Sequence, residues 1–255
     1  MLGPPSLLEG RGRSNYLNIV RGVLDALRIQ PAEPILEVGP GSGVVLRELA
    51  RRTGGANPII GVDINRYLLR EALSLAKREG LSQTIDFREG SAEVLPLAAN
   101  TVDIALSFTV MEEGNADRML AELVRVTRPG GRVAVIVRAV DVAPWVNLPL
   151  SAALRAKVQR PGSFGSGMSE GGCADASLYS RFLAAGLTEL TFSPQFAAVT
   201  PAAEAARLDG SAKQILASLD AEEATEWQEA ITQAEADGTF FIAMPHHCVI
   251  GTKPR

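Results

Sequence analysis

The stretch that most constrains this chain is residues 34–50, PILEVGPGSGVVLRELA. An apolar run, Ile35 to Val38, breaks on glycines at alternate positions, Gly39, Gly41 and Gly43, and a helical pattern starts at about Val44. A strand that turns on glycines into a helix is how α/β sheets bring backbone amides close to a nucleotide-like ligand. Glycine suits such a turn because it tolerates left-handed backbone and carries no Cβ to hold a ligand off.

The first half of the chain repeats this alternation. PIIGVDI (58–64), TIDFREG (84–90), VDIALSF (102–108) and RVAVIVRAV (132–140) read as strands. Between them lie helical patterns at 43–53 and 66–80 and in ADRMLAELVRVTRPGG, closed by Gly54-Gly55, by Gly80 and by Pro129-Gly130-Gly131. SNYLNIVRGVLDALR (14–28) predicts an amphipathic helix ahead of the first strand. Such alternation implies a mostly parallel sheet with right-handed crossovers.

The pattern changes after Asp141. Residues 142–176 hold a possible short helix and then RPGSFGSGMSEGGCADAS, rich in glycine and serine, which reads as a mobile loop or lid. SLYSRFLAAGL predicts a short helix, TELTFSPQFAAVT a strand and 201–237 helix. TFFIAMPHHCVIGTKP predicts a last strand, with a bulge or bend at Pro245. The expectation is one domain: an N-terminal helix at 14–30, a ligand-binding core at 34–140, and insertions at 142–176 and 201–237 that form a substrate lid or cap.

The length of 255 residues suffices for one large α/β domain or two small ones. A net charge of -4 argues against nucleic acid as the partner, since phosphate binding wants a basic surface. Two cysteines, Cys173 and Cys248, make no disulfide framework and fit a reducing cytoplasm. No apolar run approaches the roughly 20 residues that span a bilayer, and MLGPPSLLEGRGRS lacks the apolar stretch of a secretory signal.

Which ligand the turn holds depends on two acids. The dinucleotide fingerprint is G-x-G-x-x-G; here the third glycine comes one position early and Val44 fills the last place. A phosphate-binding P-loop is excluded because no Gly-Lys-Ser/Thr follows. Glu37 sits inside the apolar run, two residues before the turn. A pyrophosphate there would meet a like charge at low dielectric, whereas a cationic ligand end would be attracted. S-adenosylmethionine carries an ammonium and a sulfonium and no phosphate. Alternatively, Glu37 caps the neighbouring helix or turn amides. Asp63, 20 residues after Gly43, is placed to accept ribose hydroxyls from either a nicotinamide dinucleotide or S-adenosylmethionine, or to form a turn.

Taken together, these residues resemble the class I S-adenosylmethionine-dependent methyltransferases, most nearly the ubiquinone/menaquinone-biosynthesis-like group of small-molecule enzymes. ILEVGPGSG is similar to that family's first motif and IIGVDI to its second; EGSAEVLPLAANTVDIALSF and MLAELVRVTRPGGRVAVI resemble the regions that follow. The resemblance covers roughly residues 15–140. It implies a Rossmann-like, doubly wound α/β fold with a mostly parallel seven-stranded sheet and an antiparallel last strand. It also implies that Glu37, Gly39, Gly41 and Gly43 hold the methionine end of the cofactor and that Asp63 and Ile64 hold the ribose and flank the adenine. Ser91, Ala92 and Glu93 would line the adenine edge, with Phe108 and Thr109 beneath the sulfonium. The chain departs from the family at Ser91, often an Asp, and at Val110, Met111, Glu112 and Glu113, where many relatives carry a histidine pair.

The expected activity is transfer of a methyl group to a small-molecule acceptor, leaving S-adenosylhomocysteine. The alternatives are a nicotinamide-dependent oxidoreductase or a cofactor-binding relative without methyl transfer. Methyl transfer needs alignment and water exclusion more than a base. Candidates for a base are Glu112, Glu113, Asp141 and His246, the last paired in sequence with His247, which a strand would turn to the opposite face. Trp145 and Phe164 are candidates to pack on an apolar acceptor. No metal site is expected, because adjacent strand residues diverge and no C-x-x-C or H-x-x-x-H spacing exists. The acceptor and the oligomeric state are open at this level.

Overall fold

A computed structural model describes residues 15–163, 167–200 and 211–255. The expected helix start at 201–210 and the candidate Phe164 lie outside the described residues. The apolar run before the glycine turn is strand β1 (Ile35–Val38), buried along its whole length. It pairs in parallel with β2 (Ile59–Asp63) on one side and β4 (Val102–Phe108) on the other. Strand β3 (Ile85–Glu89) extends the sheet beyond β2, and β5 (Thr127–Arg138) extends it beyond β4, both parallel. Strands covered on both faces read as continuous apolar runs, which is why periodicity located them.

Helices α1 (Tyr16–Ala26), α2 (Val44–Thr53), α3 (Arg66–Arg78) and α4 (Ala116–Val126) accompany these strands. Helix α2 is bounded by left-handed glycines, Gly43 at φ 78° and Gly54 at φ 57°, the conformation that only glycine adopts without strain. Helix α3 is capped by Asn65, whose side chain accepts the Tyr67 and Leu68 amides. One face of the sheet packs α1 to α3 through Ile35, Leu106, Ile136 and Cys248. The other packs α4 and, later in the chain, α6 (Ser177–Ala184) through Leu36, Val135, Phe182 and Val249.

Strand β8 (Phe241–Thr252) is antiparallel to β5 and inserted between β5 and β7 (Thr188–Val199). The seven expected strands thus run β3-β2-β1-β4-β5-β8-β7, with the antiparallel strand last in the chain. A short strand β6 (Trp145–Asn147), not anticipated from sequence, pairs with β8 at Phe241 to Ala243. Pro245 makes no bulge: its β7 partner Phe196 stays in register. Its carbonyl accepts the Ala139 amide on the edge where β8 passes from β5 to β6. A strand residue's N–H and C=O share an edge, so proline's missing donor falls in that gap.

A third apolar cluster unites β6, α5 (Ala152–Val158), α7 (Ser211–Ser218) and α8 (Ala221–Ala236) around Trp227, buried to 2%. The described part of the glycine- and serine-rich stretch is hydrogen-bonded to the loop after β4. Ser169 donates its amide and hydroxyl to the Glu112 carbonyl at 2.9 and 3.0 Å, Ala116 donates to Gly171, and Cys173 donates to Met111. Its backbone groups have found partners on the loop after β4, which a composition-based reading does not see.

Candidate active site

The glycine turn is left-handed at Gly39, Gly41 and Gly43 (φ 68°, 55° and 78°). A Cβ on Gly39 would lie 2.4 Å from Val110 Cγ2, so the turn runs too close to the loop after β4 for any side chain there. Three contacts fix its shape. The Gly39 amide donates to the Val62 carbonyl at 2.8 Å. Gly41 donates to Asp63 Oδ2 at 3.0 Å, while Asp63 Oδ1 accepts the Asn65 amide at 2.8 Å. Arg47, 4% exposed, donates from Nη1 to the Ser42 carbonyl at 2.7 Å and from Nε to Glu79 at 2.9 Å. Asp63 therefore forms the local turn that sequence reasoning had set against a ligand role, and each of its oxygens keeps a second lone pair for a further donor.

Glu37 faces α2 from β1 and is 3% exposed. It accepts the Leu46 amide in the first turn of α2, so part of its role is the capping alternative. Its Oε2 has no hydrogen-bond partner. Burial first, and then the charge of Asp63, push its carboxyl up to about 8. A buried acid with an unsatisfied oxygen beside a glycine turn is a site waiting for a cationic donor.

Glu37 and the glycine turn open on a shallow cleft lined by Tyr16, Leu17, Glu37, Gly39, Gly41 and Phe108 among others. Tyr16 and Leu17 line the cleft without having been singled out from sequence: α1 reads only as amphipathic, and nothing local says which cleft an N-terminal helix borders. Gly43 lies behind the cleft, where a Cβ would come 3.0 Å from that of Ala72. Thr109, just past Phe108, is left-handed at φ 58°, a strained state for a β-branched residue. Ile64 is 74% exposed after β2, an uncovered apolar surface at the carboxyl edge. Around the loop after β3, Ser91 Oγ accepts the Glu93 amide at 3.2 Å and Ala92 packs on the core. Glu93 does not turn toward Ser91: its Oε1 accepts the Asn115 amide at 2.9 Å, directed to the start of α4.

The candidate bases separate. Glu112 is buried at 3%, not a solvated loop residue, and its Oε1 accepts the Arg138 amide at 2.7 Å. Glu113 is exposed. Asp141 Oδ1 lies 2.8 Å from His247 Nε2, and Asp141 Oδ2 accepts the Ala176 amide at 3.0 Å. Burial alone would raise the Asp141 carboxyl; the His247 and Ala176 hydrogen bonds outweigh it and hold it below its ordinary value. Strand alternation puts His247 with Val249 on the α4/α6 face, away from the cleft. His246 falls on the cleft face, its ring 5.2 Å from that of Tyr16. Trp145 packs edge-on against Phe241, 59% exposed. Burial pushes the Cys248 thiol up to about 12, unsuited to nucleophilic work.

Residues 35–131 match the family model described as a methyltransferase domain. Over that segment the chain is similar to methyltransferase domains, and the sheet order with its inserted antiparallel last strand agrees with the solved structures it resembles. Among curated proteins, the chain is 29% identical over 125 residues to the ubiquinone/menaquinone biosynthesis C-methyltransferase of Legionella pneumophila, covering 49% of this chain and 50% of that one. The chain thus spans about half the length of the curated relatives it matches. Among solved structures, it is similar to the YcgJ protein of Bacillus subtilis (TM-score 0.61, 16% identity, 91% of this chain and 97% of that one). It is also similar to Haemonchus contortus phosphoethanolamine N-methyltransferase 2 in complex with phosphomonomethylethanolamine and S-adenosylhomocysteine (TM-score 0.58, 17% identity, 93% and 53%).

The residues present fit S-adenosylmethionine as cofactor. The unpartnered Glu37 Oε2 would accept an ammonium donor, and the side-chain-free face of the glycine turn would leave room for the amino-acid tail. No described helix is long and apolar enough to cross a membrane.

Proposed function

We propose that the protein transfers the methyl group of S-adenosylmethionine to a small-molecule acceptor, a reaction of the one-carbon transferase class EC 2.1.1, in the cytoplasm. The observation that carries this is the buried, half-satisfied Glu37 beside a left-handed glycine turn. The cofactor supplies a methyl group already activated by a sulfonium leaving group, so the chain's task is placement. Glu37 holds the ammonium and Gly39 and Gly41 give the tail room, while Gly43 packs behind the turn against Ala72. Asp63 takes the ribose with its remaining lone pairs, and Ile64 covers one adenine face. Ser91 and Ala92 line the adenine edge; Glu93 contributes through its backbone, since its carboxylate is engaged at Asn115. Phe108 and Thr109 form the floor under the reacting atoms. Tyr16 and Leu17 close the cleft and keep water out, which strengthens every electrostatic contact inside. His246 is the candidate base on this face. The Glu112, Asp141 and His247 contacts support structural roles.

The insertions at 142–176 and 201–237 form the acceptor side. The name of the Legionella relative specifies transfer to carbon, which makes acidic ring carbons the first acceptors to assay. Calorimetric titration with S-adenosylhomocysteine tests the reading. One-site binding that millimolar NADH does not displace is expected. Absence of binding, or displacement by NADH, would return the site to the oxidoreductase alternative.

A further inference from the structure

We infer that the acceptor carries an anionic group, a carboxylate or phosphate, and that Arg138 is the residue that selects for it. The inference rests on the methyl-transfer reading of the cleft but concerns the opposite end of it. On the cleft face of the sheet, Phe108 is level with Ile136 of β5. Arg138 lies two residues further toward the carboxyl edge on that same face, about 6–7 Å beyond the floor residue. Directly across from it on β8 is His246, whose ring packs on Tyr16, a lining residue of the cleft. Strand register therefore sets the Arg138 and His246 positions one tier beyond Phe108 at the carboxyl edge of the sheet, next to the residues that line the cleft and not among them, with the acids Glu37 and Asp63 toward the cofactor end.

Arg138 is held without being used up. Its own amide donates to Glu112 Oε1 at 2.7 Å, its Nη2 donates to the Gly167 carbonyl at 2.8 Å, and its Nε forms an ion pair with the same Glu112 oxygen at 3.6 Å. Glu112 is buried behind it, while the Arg138 side chain is 25% exposed. Among the described residues, Nη1 has no partner. A guanidinium fixed at its stem with an outer N–H edge open is the geometry that takes a carboxylate or phosphate by paired hydrogen bonds. His246 Nδ1 lies 3.1 Å from the Met244 carbonyl; a carbonyl only accepts, so Nδ1 carries the proton. An anion anchored at Arg138 would hold the atom that takes the methyl group a few bonds away, over Phe108.

The test uses the full-length protein and matched probe pairs: benzoate and benzamide, phenylacetate and phenylacetamide, hexanoate and hexanamide. Each is titrated calorimetrically with and without saturating S-adenosylhomocysteine. The carboxylate of at least one pair should bind at least tenfold more tightly than its amide. Arg138→Gln should abolish that preference and Arg138→Lys retain much of it, with S-adenosylhomocysteine affinity within twofold throughout. A mutation-free check is phenylglyoxal modification of the wild-type protein: the carboxylate, and not the amide, should slow labelling at Arg138. No carboxylate preference in any pair, its survival in Arg138→Gln, or unchanged labelling would overturn the inference. Carboxylate discrimination without S-adenosylhomocysteine binding would instead remove the cofactor reading and leave the anion site standing.

Discussion

Asp63 Oδ2 accepts the Gly41 amide at 3.0 Å, so the acid that ends β2 also holds the turn that follows β1. One side chain shapes the cradle, and in the proposed function it also takes the ribose. Asp63→Ala removes both its backbone acceptors, at about 1–3 kcal/mol of stability, and should weaken S-adenosylhomocysteine binding at least tenfold. Urea unfolding and calorimetry on the same preparation check this; an affinity within twofold of wild type would leave Asp63 a turn-former only.

Glu37 gives a pH dependence of fixed sign. Its carboxyl is raised to about 8 in the ligand-free protein, from an ordinary value of 4.5. Between those values the folded state holds more protons than the unfolded one, so ligand-free stability falls as pH rises through that window, by on the order of a few kcal/mol. A cationic ligand favours the ionised form, so S-adenosylhomocysteine affinity should rise over the same range, with proton release on binding. Thermal midpoints and calorimetry in buffers of different ionisation enthalpy, from pH 5 to 9, measure both. Glu37→Gln should flatten both trends.

Gly39 combines φ 68° with a Cβ position 2.4 Å from Val110 Cγ2. Gly39→Ala should therefore cost roughly 1–3 kcal/mol from backbone strain, plus the steric clash. The double variant with Val110→Ala should regain part of the loss, because it relieves the clash and leaves the strain. Additive losses in chemical denaturation would show that the two residues do not press on each other.

Thr109 stores strain at φ 58° where the floor of the cleft ends. Thr→Gly in an ordinary strand end loses stability; here relief of the left-handed conformation should offset it, leaving Thr109→Gly within about 1 kcal/mol of wild type. Turnover should nevertheless fall, since the freed backbone no longer fixes the floor. A large loss of stability, read by urea midpoint, would mean the conformation carries no strain.

In the first half β1, β2 and β4 are legible because they are buried along nearly their whole length, and α2 and α3 because they stop at Gly54 and Gly80; α4 instead runs directly into β5 at Thr127, so the Pro129-Gly130-Gly131 expected to close it lies inside that strand. Ile35 to Val38 and Ile59 to Asp63 announce themselves as apolar runs whatever they pair with. Glu37 was legible as an anomaly, since an acid inside such a run demands a partner. Contacts made across long stretches of chain were not. Nothing near His247 in sequence points to Asp141, 106 residues earlier, at 2.8 Å. The wall formed by Tyr16 and His246 exists only because β8 inserts beside β5 and α1 packs on that face. The partner of the Glu93 side chain, the amide of Asn115, likewise lies across an intervening strand.

The placement of β8 has a consequence for biogenesis. Strand β7 reaches the sheet only through β8, which is translated later and slots between β7 and β5. While the ribosome is still making β8, the nucleotide-side half can already assemble, but β7 must wait with its backbone unpaired. Slow decoding or a proline-delayed step in that interval would lengthen the exposure of an aggregation-prone edge.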